Sequence, residues 1–281
     1  MSTAAAAPVA PGLPSQEVGA GTVFLDAMRS EWTKIRTVRS TFWTLLAAVV
    51  AVVGIAVIAS EVVVHQWSTL KAEDKVGFSS IELAMAGAFF AQLAVGVLGV
   101  LVITTEYGTG MIRATFAAVP QRRTVLGAKA TVLFLLTLVV GLASSFVAFF
   151  VSQLILGTYS DEKLNASITD PHALRAVLGA GVFLALMGLL GMAVGAVLRR
   201  SAGAITALFA LVFFLPGLME LLPHSLKDNV NKFLPSNAGT AIYRTVPGSD
   251  VLSPGTGMLV LCAYALAALA VAAVIVQRRD T

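Results

Sequence analysis

Residues 104–129 read TTEYGTGMIRATFAAVPQRRTVLGAK and separate two long apolar runs. Thr104, Thr105 and Glu106 end the first run abruptly. Gly108 and Gly110 then permit a turn, because glycine enters unusual backbone regions without steric cost. Met111, Ile112, Thr115, Phe116 and Val119 recur at helical spacing, with Arg113 on another side. Pro120 ends that short helix: it has no N–H to donate and disfavours helix in the residue before it. Arg122, Arg123 and Lys129 follow before the next apolar run. The pattern predicts a short amphipathic helix held at a membrane surface by basic flanks.

The sequence on either side sets the fold class. The chain has 281 residues, of which 57% are hydrophobic and 12% charged; a soluble domain carries about 25% charged residues. Apolar runs lie at 43–63, 82–103, 125–157, 174–198, 202–222 and 257–276. Each approaches or exceeds the roughly 20 residues that a helix needs to cross a bilayer. They lack the alternation of a barrel, so helices must satisfy their backbone groups. The expected fold is an all-α polytopic membrane protein with six transmembrane helices. Twelve of the nineteen Lys and Arg fall before the first run, in the second-to-third and fourth-to-fifth connections, and after the sixth run. The positive-inside rule therefore predicts that both termini and the 104–124 loop are cytoplasmic.

Residues 1–22 are rich in Ala, Pro and Gly and contain no aromatic residue. They read as a disordered cytoplasmic tail, without the basic start and continuous apolar core of a signal peptide. One six-helix membrane domain is expected over 23–281. Within 23–42, Phe24, Met28, Trp32, Ile35 and Val38 recur at steps of three and four, among Asp26, Arg29, Lys34 and Arg36. That spacing predicts an amphipathic interfacial helix, with Trp32 and Trp43 suited to the headgroup layer. A simple cluster of stop charges is the other reading of this stretch. The outer loop, 223–256, carries Leu226, Val230 and Phe233 at helical steps and then LPSNAGTAIYRT. Sequence leaves open whether it re-enters the membrane or lies on its surface. Ala84, Ala88, Gln92 and Gly96 share one helical face, and Gly191 and Gly195 are four apart, as close helix packing in lipid requires.

An apolar run that ends in TEYGTGMIRATFAAVPQRR and is followed by Lys129 resembles the first cytoplasmic loop of ABC type-2 exporter permeases. EWTKIRTVRSTFW, at 31–43, resembles the elbow helix before their first span, and the 223–256 loop resembles their outer re-entrant helices. The resemblance covers most of the chain from about residue 23 and is sharpest at 104–129. It implies a coupling helix that docks on a separate ABC ATPase subunit. The coupling residues implied are Glu106, Tyr107, Gly110, Ile112, Arg113, Phe116, Pro120, Arg122 and Arg123. Glu106 would fix the turn, Arg113 and the 111–119 apolar face would contact the ATPase, and Arg122 with Arg123 would anchor the loop. The family further implies a second permease copy or a related permease as partner, surrounding membrane lipid, and a bacterial cytoplasmic membrane. Cargo could be a drug, an antibiotic, a lipid or a similar compound.

Missing motifs agree with a transport subunit. No GxxxxGK[ST] phosphate loop occurs, nor any Gly-Lys pair, so ATP and magnesium are expected in the partner ATPase and no cofactor on this chain. There is no HExxH pattern, and His65, His172 and His224 are far apart, which gives no metal-ligand spacing. The single Cys262 lies in an apolar run. The basic residues adjoin spans, as topology determinants do, so no nucleic-acid partner is expected. A membrane enzyme acting on lipid would need ionisable groups converging at one leaflet, and an ion-driven carrier would need titratable groups within the spans.

Overall fold

The computed structural model describes residues 20–71, 75–119, 121–159, 163–219, 221, 223, 228–245, 248 and 251–278. Several residues read above lie outside this set: most of the amino-terminal tail, Pro120, His224 and Leu226.

Helix α1, Ala20–Thr37, is followed without a loop by α2, Arg39–Gln66; the joint is Val38, whose extended backbone (φ −85°, ψ 116°) breaks the helix. Then come α3, Ser80–Thr109, the short α4, Met111–Ala118, and α5, Arg122–Leu156. Helix α6 spans Ala173–Leu198 and α7 spans Ser201–Met219. A short buried helix, α8, Pro235–Thr240, precedes α9, Pro254–Arg278. Six helices, α2, α3, α5, α6, α7 and α9, are long and apolar enough to cross a membrane, so this is a multi-pass membrane protein.

Helix α6 is the axis of the bundle. In its most apolar window 83% of residues are buried, against 17% for α2 and α7 and 22% for α9. Small residues bring α3 and α6 together: a Cβ on Gly99 would strike the Gly188 carbonyl, and one on Gly191 would strike that of Gly96. In lipid, where water drives no helix association, such close van der Waals contact supplies much of the attraction. The face expected from Ala84, Ala88, Gln92 and Gly96 is buried throughout.

Three boundaries differ from the sequence reading. Helix α1 begins at Ala20 and ends at Thr37, whereas one interfacial helix was expected over 23–42; Arg39–Phe42 form the first turn of α2. Helix α3 continues six residues past position 103, through Gly108, and only Gly110 takes the left-handed conformation (φ 74°). The threonines of that extension are satisfied within the helix, since the hydroxyls of Thr104, Thr105 and Thr109 each donate to the carbonyl four residues back. In the fifth run, expected to extend to 222, a π-helical turn, Ala210–Phe214, precedes Pro216, and the helix continues through Pro216 to Met219. Pro216 cannot donate, and its ring crowds the preceding turn; widening that turn absorbs the misfit.

At the end of the bundle opposite α4, the segment 235–243 is buried. Ser236, Ala238, Ala241 and Tyr243 are each less than 9% exposed. Gln92 Nε2 donates to Ser236 Oγ at 2.9 Å. Gln92 lies about 18 Å along α3 from Ser80, at ~1.5 Å per residue. Segment 235–243 therefore packs among the helices of the bundle.

Candidate functional site: a four-charge joint beneath helix α4

Two turns of α1 bring Ala27, Glu31, Lys34 and Ile35 to one face, the spacing i, i+4, i+7 and i+8. That face packs against the start of α5. Ala27, Glu31 and Ile35 are buried, while Trp32 and Val38 of the expected apolar face are exposed at 49% and 46%. Two glutamates and two lysines meet there. Lys34 Nζ donates to Glu31 Oε1 at 2.7 Å, to Glu106 Oε1 at 2.9 Å and to Thr115 Oγ1 at 3.3 Å. Lys129 Nζ donates to Glu106 Oε1 at 2.9 Å and to Glu31 Oε2.

The side chains of Lys129, Glu31 and Glu106 are 2%, 3% and 7% exposed, and that of Lys34 26%. Isolated charges so deep would cost several kcal/mol each, so the arrangement is tolerable only because opposite charges match in number and geometry. Burial alone would lower the Lys34 pKa. The hydrogen bonds from Glu31 and Glu106 outweigh it and hold the ammonium above the ordinary lysine range. The joint ties four elements: α1 through Glu31 and Lys34, α3 through Glu106, α5 through Lys129, and α4 through Thr115.

The rest of α4 is fixed from its apolar side. Ile112 is 4% exposed, and with half-buried Phe116 it faces Tyr107, Val125 and Val276. The Arg122 guanidinium lies 5.3 Å from the Phe116 ring centroid and donates to the Val276 carbonyl at 3.0 Å. Arg123 donates to Gln277 Oε1 at 2.7 Å. The two arginines thus clamp the last turn of α9, and Arg122 also covers Phe116. On the next connection, Arg199 sits 5.0 Å from the Tyr107 ring, and Ser201 Oγ donates to Thr104 Oγ1 at 2.8 Å.

This geometry sorts the residues expected to couple to an ATPase. The structure brings Glu106, Tyr107, Ile112, Phe116, Arg122 and Arg123 together, all turned toward the chain's own bundle. The apolar face of α4, expected to contact a partner, is the face it uses to hold itself in place. Met111, Arg113, Ala114, Ala117 and Ala118 remain outward and exposed. Gly110 provides the positive φ at which α3 ends and α4 begins. Pro120 is outside the described residues.

Sequence reasoning missed Glu31 and Lys34 as members of the site and read Lys129 as a basic flank of the loop and as part of the family resemblance, without a carboxylate partner. A signal was present. Acids are scarce on the basic side of the sequence, and Glu31 sits one helical turn from Ala27 and Ile35, in register with an apolar stripe. No group of three or more potential metal-ligating residues occurs among the described residues.

The family model described as ABC-2 family transporter protein matches residues 27–217, more than half of the chain. The match begins within α1 and takes in the charged joint and α4. No curated protein matches the chain significantly.

Proposed function

From the premise that this chain belongs to the ABC-2 transporter family, we propose that it is the permease subunit of an ATP-driven exporter in a bacterial cytoplasmic membrane. Members of this family are membrane transport subunits, not themselves catalytic, and work with an ABC ATPase subunit. In the proposed arrangement both termini and α4 are cytoplasmic, α1 lies in the interface, and residues 23–281 form one permease domain. ATP and magnesium reside on the partner, and a second copy or a related permease completes the pathway. The sparsely buried helices α2, α7 and α9 offer apolar faces for that second permease and for lipid.

The observation that carries this reading is the mounting of α4. An eight-residue helix is too short to be stable alone, yet here it is tied to α1, α3, α5 and α9 while Arg113, Ala114, Ala117 and Ala118 face outward. A helix held this way moves with the bundle. Closure of an ATPase dimer beneath it would then turn the spans as rigid bodies, provided that ATP and cargo favour different states. The joint is poorly suited to the chemistry of a lipid-modifying enzyme, because each of its lysines is bonded to both carboxylates. Among the described residues of the opposite end, Glu61 neighbours His65, Asp170 accepts from the Ser167 N–H, and Glu82 accepts from Thr245, so these three acids have separate partners.

Co-purification from detergent with a co-expressed ATPase subunit carrying a GxxxxGK[ST] motif tests the reading. The wild-type chain should retain the ATPase, and Arg113→Glu should lower retention at least tenfold without changing the melting temperature of the permease. Equal retention by both chains would remove α4 from the docking surface.

A further inference from the structure

A crevice of about 280 Å³ opens where α1 turns into α2, against the α4 end of α3. Leu98, Leu101 and Val102 line its apolar wall; Ser40, Thr105 and Thr109 stand among its polar lining residues. Lys34 of the charged joint borders it, as does Met111 at the start of α4. We propose that this crevice binds one anionic glycerophospholipid of the adjoining leaflet, with an acyl chain along Leu98, Leu101 and Val102 and the phosphate at the α1–α2 corner.

Three observations support that occupant. The first is depth. Trp32, Phe42 and Trp43 flank the corner and are 49%, 62% and 65% exposed; amphipathic rings of this kind sit at the headgroup level. A crevice bordered by both hydroxyls and leucines at that level spans the headgroup–acyl boundary. The second is size. Pockets for drug-sized ligands occupy roughly 300–1,000 Å³, so this one suits part of a lipid whose remainder stays in the leaflet. The third is charge. Arg36 and Arg39 are exposed on either side of the corner, and Lys34 is partly exposed beside it. The two acids in the lining, Glu31 and Glu106, are buried and already bonded to lysines. The charges in the lining balance, so Arg36 and Arg39, which adjoin the lining residues in sequence, leave basic charge beside the corner, and basic residues near a membrane surface attract anionic headgroups.

A lipid seated here would touch α1, α2, α3 and the first residue of α4 together. Its headgroup would make the position of α4 responsive to the composition of the leaflet. The proposal requires only that the chain is embedded in a membrane, so its test reads lipid on the permease alone and is independent of ATPase docking.

The test is native mass spectrometry of the purified full chain, titrated with phosphatidylglycerol or phosphatidylcholine of matched acyl length. One phosphatidylglycerol should be retained per chain, with roughly tenfold preference over phosphatidylcholine, the scale expected from two surface arginines. Thr105→Trp places an indole in the crevice at an exposed position whose hydroxyl donates only to its own helix; it should lower retention at least tenfold. Arg36→Gln with Arg39→Gln changes only exposed side chains, and should leave a lipid bound while abolishing the preference. Unchanged retention by a folded Thr105→Trp chain would overturn the proposal. Equal affinity of the wild type for the two lipids, or a preference that survives loss of both arginines, would overturn it too.

Discussion

The two ends of the bundle hold short helices by different physics. Beneath α4, four full charges meet in near-complete burial, and removing any one leaves the others uncompensated. At the opposite end, α8 is held by shape and by neutral hydrogen bonds. Added Cβ atoms on Gly239 and Gly257 would strike the Phe183 side chain and the Ala238 carbonyl, and Gln92 donates to Ser236. A charged joint permits few geometries, as the coupling role proposed for α4 would require. A joint of close contacts and single hydrogen bonds can be opened at modest free energy.

The largest effect should therefore come from the charged end. Lys129→Met leaves two buried carboxylates sharing Lys34 and should destabilise the chain by about 3–5 kcal/mol, seen as a lower melting temperature in detergent. Adding Glu31→Gln to that variant should recover more than half of the loss, because the missing charge is then balanced. A double variant less stable than Lys129→Met alone would mean that packing, and not charge matching, sets the joint.

At the opposite end, Gly257→Val drives side-chain atoms into the Ala238 carbonyl and the Ala241 methyl. Overpacking of this kind costs about 1–3 kcal/mol. The more telling readout is exposure. Ser236→Cys, in a Cys262→Ala background, should react with a membrane-impermeant thiol reagent faster once Gly257→Val is added. Gln92→Leu should do less. It removes one interhelical hydrogen bond, worth about 0.6 kcal/mol on average in a membrane protein, and also removes Gln92 Oε1, which is buried without a partner. Its stability should stay within about 1 kcal/mol of wild type; a larger loss would make the two ends more alike.

The smallest effect is that of pH. The Lys34 pKa is raised in the folded state, so its stabilising contribution is fully present below its unfolded value of 10.5 and is lost only as pH rises through the higher folded value. Titration of Lys34 should leave the melting temperature flat from about pH 6 to about pH 9. A fall in stability across that window that Lys34→Met abolishes would contradict the bonding assigned to it.

Much of the fold could be read in the sequence, because lipid makes helices of about 20 apolar residues nearly obligatory. All six runs are helices within a few residues of their expected bounds. The errors fall where polar side chains are satisfied locally or by distant partners. Threonines 104, 105 and 109 looked like the end of a helix, but their hydroxyls fold back on the carbonyls and let α3 continue. The charged joint was half legible. Glu106 and Lys129 stood out as polar residues beside the loop, but Glu31 is 98 residues from Lys129 in the chain. Only tertiary structure brings those two together. The apolar stripe of α4 was read as a partner-facing surface, and in the structure its Ile112 and Phe116 pack on the chain's own bundle, since periodicity reports that a face is covered and not by what.

The central claim is that α4, positioned by the charged joint, is where the ATPase docks. Photo-cross-linking in cells addresses it directly, with a benzoylphenylalanine at position 114 on the outward face of α4 and another at position 253 at the opposite end. The account predicts a cross-link from 114 to the ATPase subunit and none from 253, with the 114 product reduced at least fivefold by Lys129→Met at equal permease abundance. No ATPase product from 114, or an ATPase product from 253, would contradict it.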